Sequence, residues 1–388
     1  MNGAALVFLT ASILGVLALV VQALAVMRAR RTPVPRPTTA VGVSILKPLC
    51  GLDEALEANL EHFARMTGPT VELLLGVKDT DDAAFPLARR VAQRFPEHVR
   101  VVLQRGAPVQ NPKVNQLITL AKAARFDLLM VSDSNAWIEA EALDEVRARF
   151  EDPLVACVAN PVSGRGHESV GALMDNLHLA AGIGAGQLAA KLLGDVDLVV
   201  GKSMTLRREV LESMGGFAAF GDYAAEDFAI AQAVRHQGFR NVIASNPVWN
   251  VAVRRSVRSF FERYRRWAVL QRTGVSLPVS LAHGLVNPWP LALIGWALAP
   301  SADVVLVTVA VLGARLGLDF LTARLMRLSP VTPTTVLLVP MKDVLLFLAW
   351  VEALFRRTIL WRGNRLEVEP GGKLVRPRVD GLAPEGAR

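Results

Sequence analysis

The sequence predicts an α/β fold: a mostly parallel sheet with helices on both faces, held between membrane-spanning helices at its two ends. Three observations carry that expectation. Short runs rich in Val, Leu and Ile alternate with helical periodicity between residues 41 and 159, the order that builds parallel sheets. The 388 residues are 52% hydrophobic with a mean hydropathy of +0.34, and the excess sits at the two ends. One apolar run, Leu128 to Val131, leads into a carboxylate, Asp133, where open α/β sheets bind their ligands.

The elements follow in order. Residues 4–27 are almost wholly apolar, with Gln22 the main exception, and about 20 such residues cross a bilayer. Arg28, Arg30 and Arg31 come after the run. That argues for an uncleaved anchor whose arginine end is cytoplasmic. Pro33, Pro35 and Pro37 stiffen the linker that follows. The expected layout is an anchor over 1–31, a soluble domain over 32–275, a C-terminal membrane region over 276–356 and a basic tail over 357–388.

In the soluble part, 41–46 reads as a strand, and Asp53 as the cap of a helix with Leu56, Leu60 and Phe63 on one face. A strand over 71–77 closes on Lys78-Asp79-Thr80-Asp81-Asp82. A helix over 85–95 and a strand over 99–103 follow. The Asn111-Pro112-Lys113 turn opens a helix bearing Leu117, Leu120 and Ala121. Asp79 and Asp133 thus follow two strands whose ends share one sheet edge. A carboxylate there holds a hard cation against a phosphate oxygen, or else bonds its own turn backbone.

Residues 140–150 read as a helix, 154–159 as a strand, and 196–201 as another strand. Residues 169–193, with Asp175, His178 and Lys191, read as a buried or membrane-surface helix pair beside an acceptor entrance. Glu226 and Asp227 fall in the first turn of a helix running to His236, where acids suit the helix dipole. Arg254, Arg255, Arg258, Arg263, Arg265, Arg266 and Arg272 alternate with Phe260, Tyr264 and Trp267. Such a helix lies on a membrane surface, clamps a diphosphate, or does both.

The net charge of +8 suits lipid headgroups and diphosphates. No nucleic-acid partner is expected, since neither zinc-finger spacing nor an RNA-binding aromatic motif occurs. Cys50 and Cys157 read as two buried reduced thiols. After Gly274 the candidate spans are roughly 281–298, 304–320 and 336–355. Arg315 and Asp319 are spaced to pair in the second, and Lys342 and Asp343 lie in the third. Three crossings would leave the tail outside, yet Arg356, Arg357, Arg362 and Arg365 favour the inside, so one candidate is expected to be re-entrant or interfacial. Residues 377–388 are expected to fray.

Several stretches resemble the ceramide glucosyltransferase family, family 21 of the glycosyltransferases. They are Val43-Ser44-Ile45-Leu46-Lys47-Pro48-Leu49, Val77-Lys78-Asp79, Asn111-Pro112-Lys113-Val114-Asn115, Ser132-Asp133-Ser134, Ala225-Glu226-Asp227 and Arg263-Tyr264-Arg265-Arg266-Trp267, with the tail Ile359-Leu360-Trp361-Arg362-Gly363-Asn364-Arg365. The resemblance implies a GT-A-type fold on the cytoplasmic face of a membrane, as in a bacterial inner membrane. It implies inverting transfer of a hexose, glucose in that family, from a UDP-sugar to a lipid hydroxyl such as that of ceramide. It matches Asp79 to a nucleotide contact, Asp133 to a Mg²⁺ or Mn²⁺ site, Asp227 to the base, and Arg263, Arg266 and Trp267 to the terminal donor motif. Glu226 is the alternative base, and Lys47 and Lys113 are candidates to assist at the diphosphate. Asn135 stands where many related enzymes carry a second acid, and residues 184–202 depart from the family pattern. A hopanoid-glycosylating branch fits the same motifs. A processive polysaccharide synthase would carry more spans, and a non-catalytic membrane scaffold would not gather its acids in the soluble middle.

Overall fold

The computed structural model describes residues 2–106, 108–361 and 364–375. Helix α1 (Gly3–Arg31) leads into strand β1 (Val43–Pro48). Then come α2 (Leu56–Arg65), β2 (Val71–Val77), α3 (Phe85–Arg94), β3 (Val99–Leu103), α4 (Pro112–Ala123) and β4 (Leu128–Ser132). Next are β5 (Ala136–Trp137), α5 (Ala140–Arg149), β6 (Val155–Ala159), β7 (Val162–Arg165), α6 (Val170–His178), α7 (Ala185–Gly194) and β8 (Ser203–Arg207). The soluble body ends with α8 (Arg208–Ser213), α9 (Glu226–His236), β9 (Arg240–Ile243), β10 (Val248–Val251) and α10 (Val257–Gly274).

Seven strands form one sheet in the order β3-β2-β1-β4-β8-β6-β9. The first four run parallel, with Leu46 of β1 opposite Leu74 of β2 and Val131 of β4. β8 runs antiparallel to both of its neighbours. Every residue of β2, β4 and β6 is buried, as expected where both faces of a sheet are covered by helices. The chain order reverses between β1 and β4. That switch point opens a crevice at their C-terminal edge, where α/β proteins bind ligands. A smaller sheet, β5-β10-β7, follows the Asp133 turn.

Four local expectations change, the first being that Cys50 is exposed while Cys157 alone is buried. Asp53 does not cap α2: Ala55 does, in the left-handed region at φ 55° and without a side-chain bond, and Asp53 instead accepts from the Ser134 hydroxyl. Residues 196–201 form no strand. Their carbonyls and side chains bind helices instead, with Leu198 O accepting from Gln187 at 2.9 Å. Buried Asp197 accepts from Lys191 at 2.6 Å and Arg235 at 2.9 Å, so the ladder begins only at Ser203. The expected helix pair over 169–193 is a single helical run in which a π turn, Leu179–Gly184, joins α6 to α7. That turn lies so close to β7 that a Cβ on Gly184 would fall 1.9 Å from Val162 O.

Past the body come α11 (Leu277–Ala282), α12 (Pro288–Leu298), α13 (Ala302–Leu325), α14 (Pro333–Val336) and α15 (Val339–Phe355). Among the described residues three segments, 3–31, 302–325 and 333–355, are long and apolar enough to cross a membrane, and 277–298 forms a pair bent by 83°. Gly295 of α12 packs against Leu9, and Asn2 donates to Leu298 O at 3.0 Å, so α12 runs up beside the first half of α1. The far ends of α1 and α13 enter the main core through Val26, Ala29, Ala323 and Met326.

The topology closes at α15. Its start, Val339, lies in that same core, and its end, Ala353, packs with Ala224 and Val269 of the body. β11 (Thr358–Trp361), β12 (Asn364–Val368) and β13 (Leu374–Val375) then fold back, with Leu374 N donating to Asp222 O and Gly371 N to Thr273 O. Both ends of α15 therefore contact the soluble body, and the tail lies on its side. Arg356 and Arg357 stand beside Arg272 near the end of α10. Arg362 and the stretch expected to fray, 377–388, lie outside the described residues. In the membrane region Arg315 pairs with Asp319 at 2.7 Å and with Asp343 at 2.7 Å, and Lys342 pairs with both acids, so these charges neutralise one another in the interior.

Candidate active site

Four segments deliver charge to the crevice. Asp133 leaves the C-terminal end of β4. Lys113 stands at the start of α4 because Asn111 caps that helix, accepting from Lys113 N at 2.9 Å, with Pro112 fixing the first turn. Glu226 and Asp227 open α9. Lys202 stands just before β8. The Lys113 ammonium lies 3.0 Å from Asp133 and 2.7 Å from Glu226, and Lys202 lies 3.0 Å from the other Asp133 oxygen. Asp133 is 27% exposed at its side chain and Lys113 18%, so the cluster is reached from one side.

Glu226 is nearly enclosed and accepts from Asn111 Nδ2 at 3.1 Å as well as from Lys113. Asp227 accepts from its own helix at Phe228 N, 2.8 Å, and from Gly201 N at 2.5 Å. Gly201 has no room for a side chain: a Cβ there would lie 2.8 Å from Lys113 Nζ and 3.0 Å from Asp227 Oδ2.

The charges set one another. Burial and the adjacent Glu226 lift the Asp227 carboxyl to about 6, against the pull of Lys113 and the two amides. Burial would also raise Asp133, but Lys113 and Lys202 hold it well below the ordinary carboxylate range. The two lysines diverge although they share Asp133. Lys113 faces three carboxylates, which outweigh burial and hold its charge. Lys202 is pushed down by burial, and Arg263 and Lys113 repel it.

Lys47, a candidate for the diphosphate, lies under the site and not in it. It is 0% exposed, donates to Asp133 O at 2.7 Å and Ser132 Oγ at 3.1 Å, and sits 3.8 Å over the Phe63 ring. Burial, with the Lys202 charge adding to it, brings it down to about 7 against the pull of Asp133 and Asp53. It holds the Asp133 turn by its backbone. Asp79 stands at the same sheet edge two strands away and is 49% exposed, with Lys78 at 3.8 Å and no contact to the lysine–carboxylate cluster among the described residues.

Arg263 of α10 is buried and donates to Asp175 at 2.9 Å; its guanidinium also lies 4.8 Å over the Trp267 ring. Asp175, 0% exposed, further accepts from Tyr264 at 2.8 Å and pairs with Arg255 at 3.3 Å. Burial opposes the Arg263 charge, and Asp175, with Asp133 and Asp53 adding to it, more than restores it. Arg266 is half-buried on the same helix and engaged by its neighbours. Sequence reasoning gave no role to Lys202, and it named Asp175 only within a helix pair beside an acceptor entrance, not as the partner of Arg263. A lone acid on an apolar helix was the available signal for Asp175, since a buried carboxylate demands partners.

Among the described residues no group of three or more His, Cys, Asp or Glu side chains converges to hold a metal. A different observation bears on the expected cation. The Lys202 ammonium sits between Asp133 Oδ2, at 3.0 Å, and Asn135 Oδ1, at 2.6 Å, so these two oxygens already accommodate one positive charge. An oxygen pair of this kind suits Mg²⁺ or Mn²⁺, which take their remaining ligands from phosphates and water.

A mostly parallel sheet with acids and lysines at its switch point, joined to helices long and apolar enough to cross a membrane, defines a GT-A-like glycosyltransferase. The chain belongs to Glycosyl transferase family 21, whose profile matches residues 8–374. It is 25% identical over 345 residues to ceramide glucosyltransferase 3 of Caenorhabditis elegans, covering 87% of this chain and 75% of that one. To ceramide glucosyltransferase 1 of the same organism it is 30% identical over 239 residues, 61% of this chain and 51% of that one. In fold it is similar to the mannosyltransferase PcManGT from Pyrobaculum calidifontis, solved with GDP-Man and Mn²⁺, at a TM-score of 0.50 and 19% identity over 90% of this chain and 99% of that one.

Proposed function

We propose that the protein transfers one hexose, glucose by the family likeness, from a UDP-sugar to a lipid hydroxyl such as that of ceramide at the cytoplasmic membrane face, with inversion. The observation that carries this reading is Asp227, lifted to about 6 in the crevice beside Glu226 and Lys113. A carboxylate so poised accepts the proton of a lipid alcohol as the alcohol oxygen attacks the anomeric carbon and the UDP oxygen leaves. One displacement turns an α-donor into a β-glycoside. Glu226 is tied to Lys113 and Asn111, which favours Asp227 over Glu226 as the base.

Lys113 and Lys202 bring positive charge to the edge where the diphosphate would gather charge on leaving. Arg263 and Arg266 add guanidinium charge from α10, with Trp267 beside them. Asp79, at the far side of the edge, is assigned to the nucleotide. Asp133 and Asn135 would hold Mg²⁺ or Mn²⁺, which supplies Lewis-acid neutralisation of the diphosphate. PcManGT, whose structure holds GDP-Man and Mn²⁺, is in line with that assignment.

The test is incubation of the purified protein with UDP-sugars and a panel of lipid alcohols, read by mass spectrometry and by NMR of the anomeric proton. A β-linked monoglycosylated lipid is expected. Polymeric product, an α-linkage or no lipid glycoside overturns the proposal.

A further inference from the structure

The second charged feature of the molecule lies away from the crevice, where α10, α15 and the tail meet. A recess of about 370 Å³ opens there, lined by Arg272, Val275, Phe355, Arg356 and Arg357. Arg356 is neutralised by Glu352 at 2.8 Å. Among the described residues neither Arg272 nor Arg357 has a carboxylate partner, and the buried Nε of Arg272 has no hydrogen-bond acceptor. The C-terminal ends of α10 and α15 come together at this point, but each carries only about half a negative charge and cannot neutralise two arginines.

The recess also marks a boundary. Immediately after Val275 the chain exposes Leu277, Val279 and Leu281, at 50%, 48% and 48%, and Phe355 on the opposite wall is 84% exposed. Leu360 on the tail is 63% exposed. Unpaired guanidinium groups beside exposed aliphatic and aromatic side chains form the pattern that meets lipid headgroups, with charge at phosphate depth and apolar side chains among the acyl chains.

We propose that this recess binds the phosphate of an anionic phospholipid headgroup from the surrounding bilayer. Arg272 and Arg357 take the phosphate oxygens, and Phe355, Leu277 and Leu360 lie against the acyl chains. The site fixes the depth at which α10, the helix carrying Arg263, lies on the membrane. It is independent of the donor and acceptor chemistry proposed above.

The test uses the full chain, purified in detergent and examined by native mass spectrometry with phosphatidylglycerol, with phosphatidylcholine, or with inorganic phosphate and phosphatidylglycerol together. Retention of phosphatidylglycerol over phosphatidylcholine is expected. The double variant Arg272→Gln, Arg357→Gln should weaken it about 30-fold, at about a kilocalorie per mole for each arginine. Arg258→Gln, which removes an exposed arginine elsewhere on α10, should leave it unchanged. If the double variant does not fold, Arg357→Gln alone carries the test with a weakening of about fivefold. Equal retention of the two lipids, retention unaffected by these substitutions, or displacement of phosphatidylglycerol by inorganic phosphate overturns the proposal.

Discussion

Lys113 stands 3.0 Å from Asp133 Oδ1, tying the start of α4 to the end of β4, and the same ammonium reaches Glu226 on α9 at 2.7 Å. One cation thus joins three elements that are far apart in the chain. The crevice is arranged around positive charge before any donor arrives.

Replacing Lys113 by Met leaves Asp133, Glu226 and Asp227 facing one another without their shared cation. Losing one partner of an enclosed ion pair costs about 3 kcal/mol. Thermal melts should show the loss in full at pH 7. Asp133 has a depressed folded pKa, so its stabilisation is present above the unfolded value, near 4, and lost as pH falls. The gap between wild type and variant should therefore narrow in acid; a gap independent of pH would contradict the pairing.

The pH profile reports the base. Asp227 must be ionised to accept a proton, so kcat/KM should rise about tenfold per pH unit below about 6 and level above it. Glu226 raises that carboxyl by its charge, so Glu226→Gln should move the limb to lower pH. A limb that stays in place assigns it to another group.

Asp175 holds the Arg263 guanidinium at 2.9 Å. Asp175→Asn keeps the shape but removes the charge that faces Arg263, Arg255 and the Tyr264 hydroxyl. Donor KM should rise and kcat fall, together by about tenfold or more in kcat/KM. Calorimetry should show weaker UDP-sugar binding in protein that still melts cooperatively. Unchanged donor affinity would reduce Asp175 to a packing role.

Chelation with EDTA should stop turnover, and added Mg²⁺ or Mn²⁺ should restore it. Asp133→Asn should raise the metal concentration needed for half-maximal rate. Full activity in metal-free buffer would remove the cation from the account.

The sheet was legible in the sequence because its strands are apolar on both faces and each closes on a turn, as at Lys78-Asp79 and Ser132-Asp133. Residues 196–201 misled because an apolar run flanking Asp197 resembles a strand, whereas its hydrogen bonds go to the side chains of Gln187, Lys191 and Arg235. The pairing of Glu226 and Asp227 at a helix start was visible. Their different partners were not, since these come from Asn111, Lys113 and Gly201, distant in sequence. Lys47 looked like a phosphate contact because charge pattern does not report depth. The fold-back of the tail was invisible for the same reason: no local signal states that both ends of α15 meet the soluble body.

The central claim is that Asp227 takes the proton of the attacking lipid alcohol. The direct measurement is a pair of assays on Asp227→Asn: UDP-sugar binding by calorimetry and lipid glycoside formation by mass spectrometry. The account predicts donor affinity near that of wild type with transfer slowed by about 10²–10⁴-fold. Transfer at the wild-type rate would contradict it.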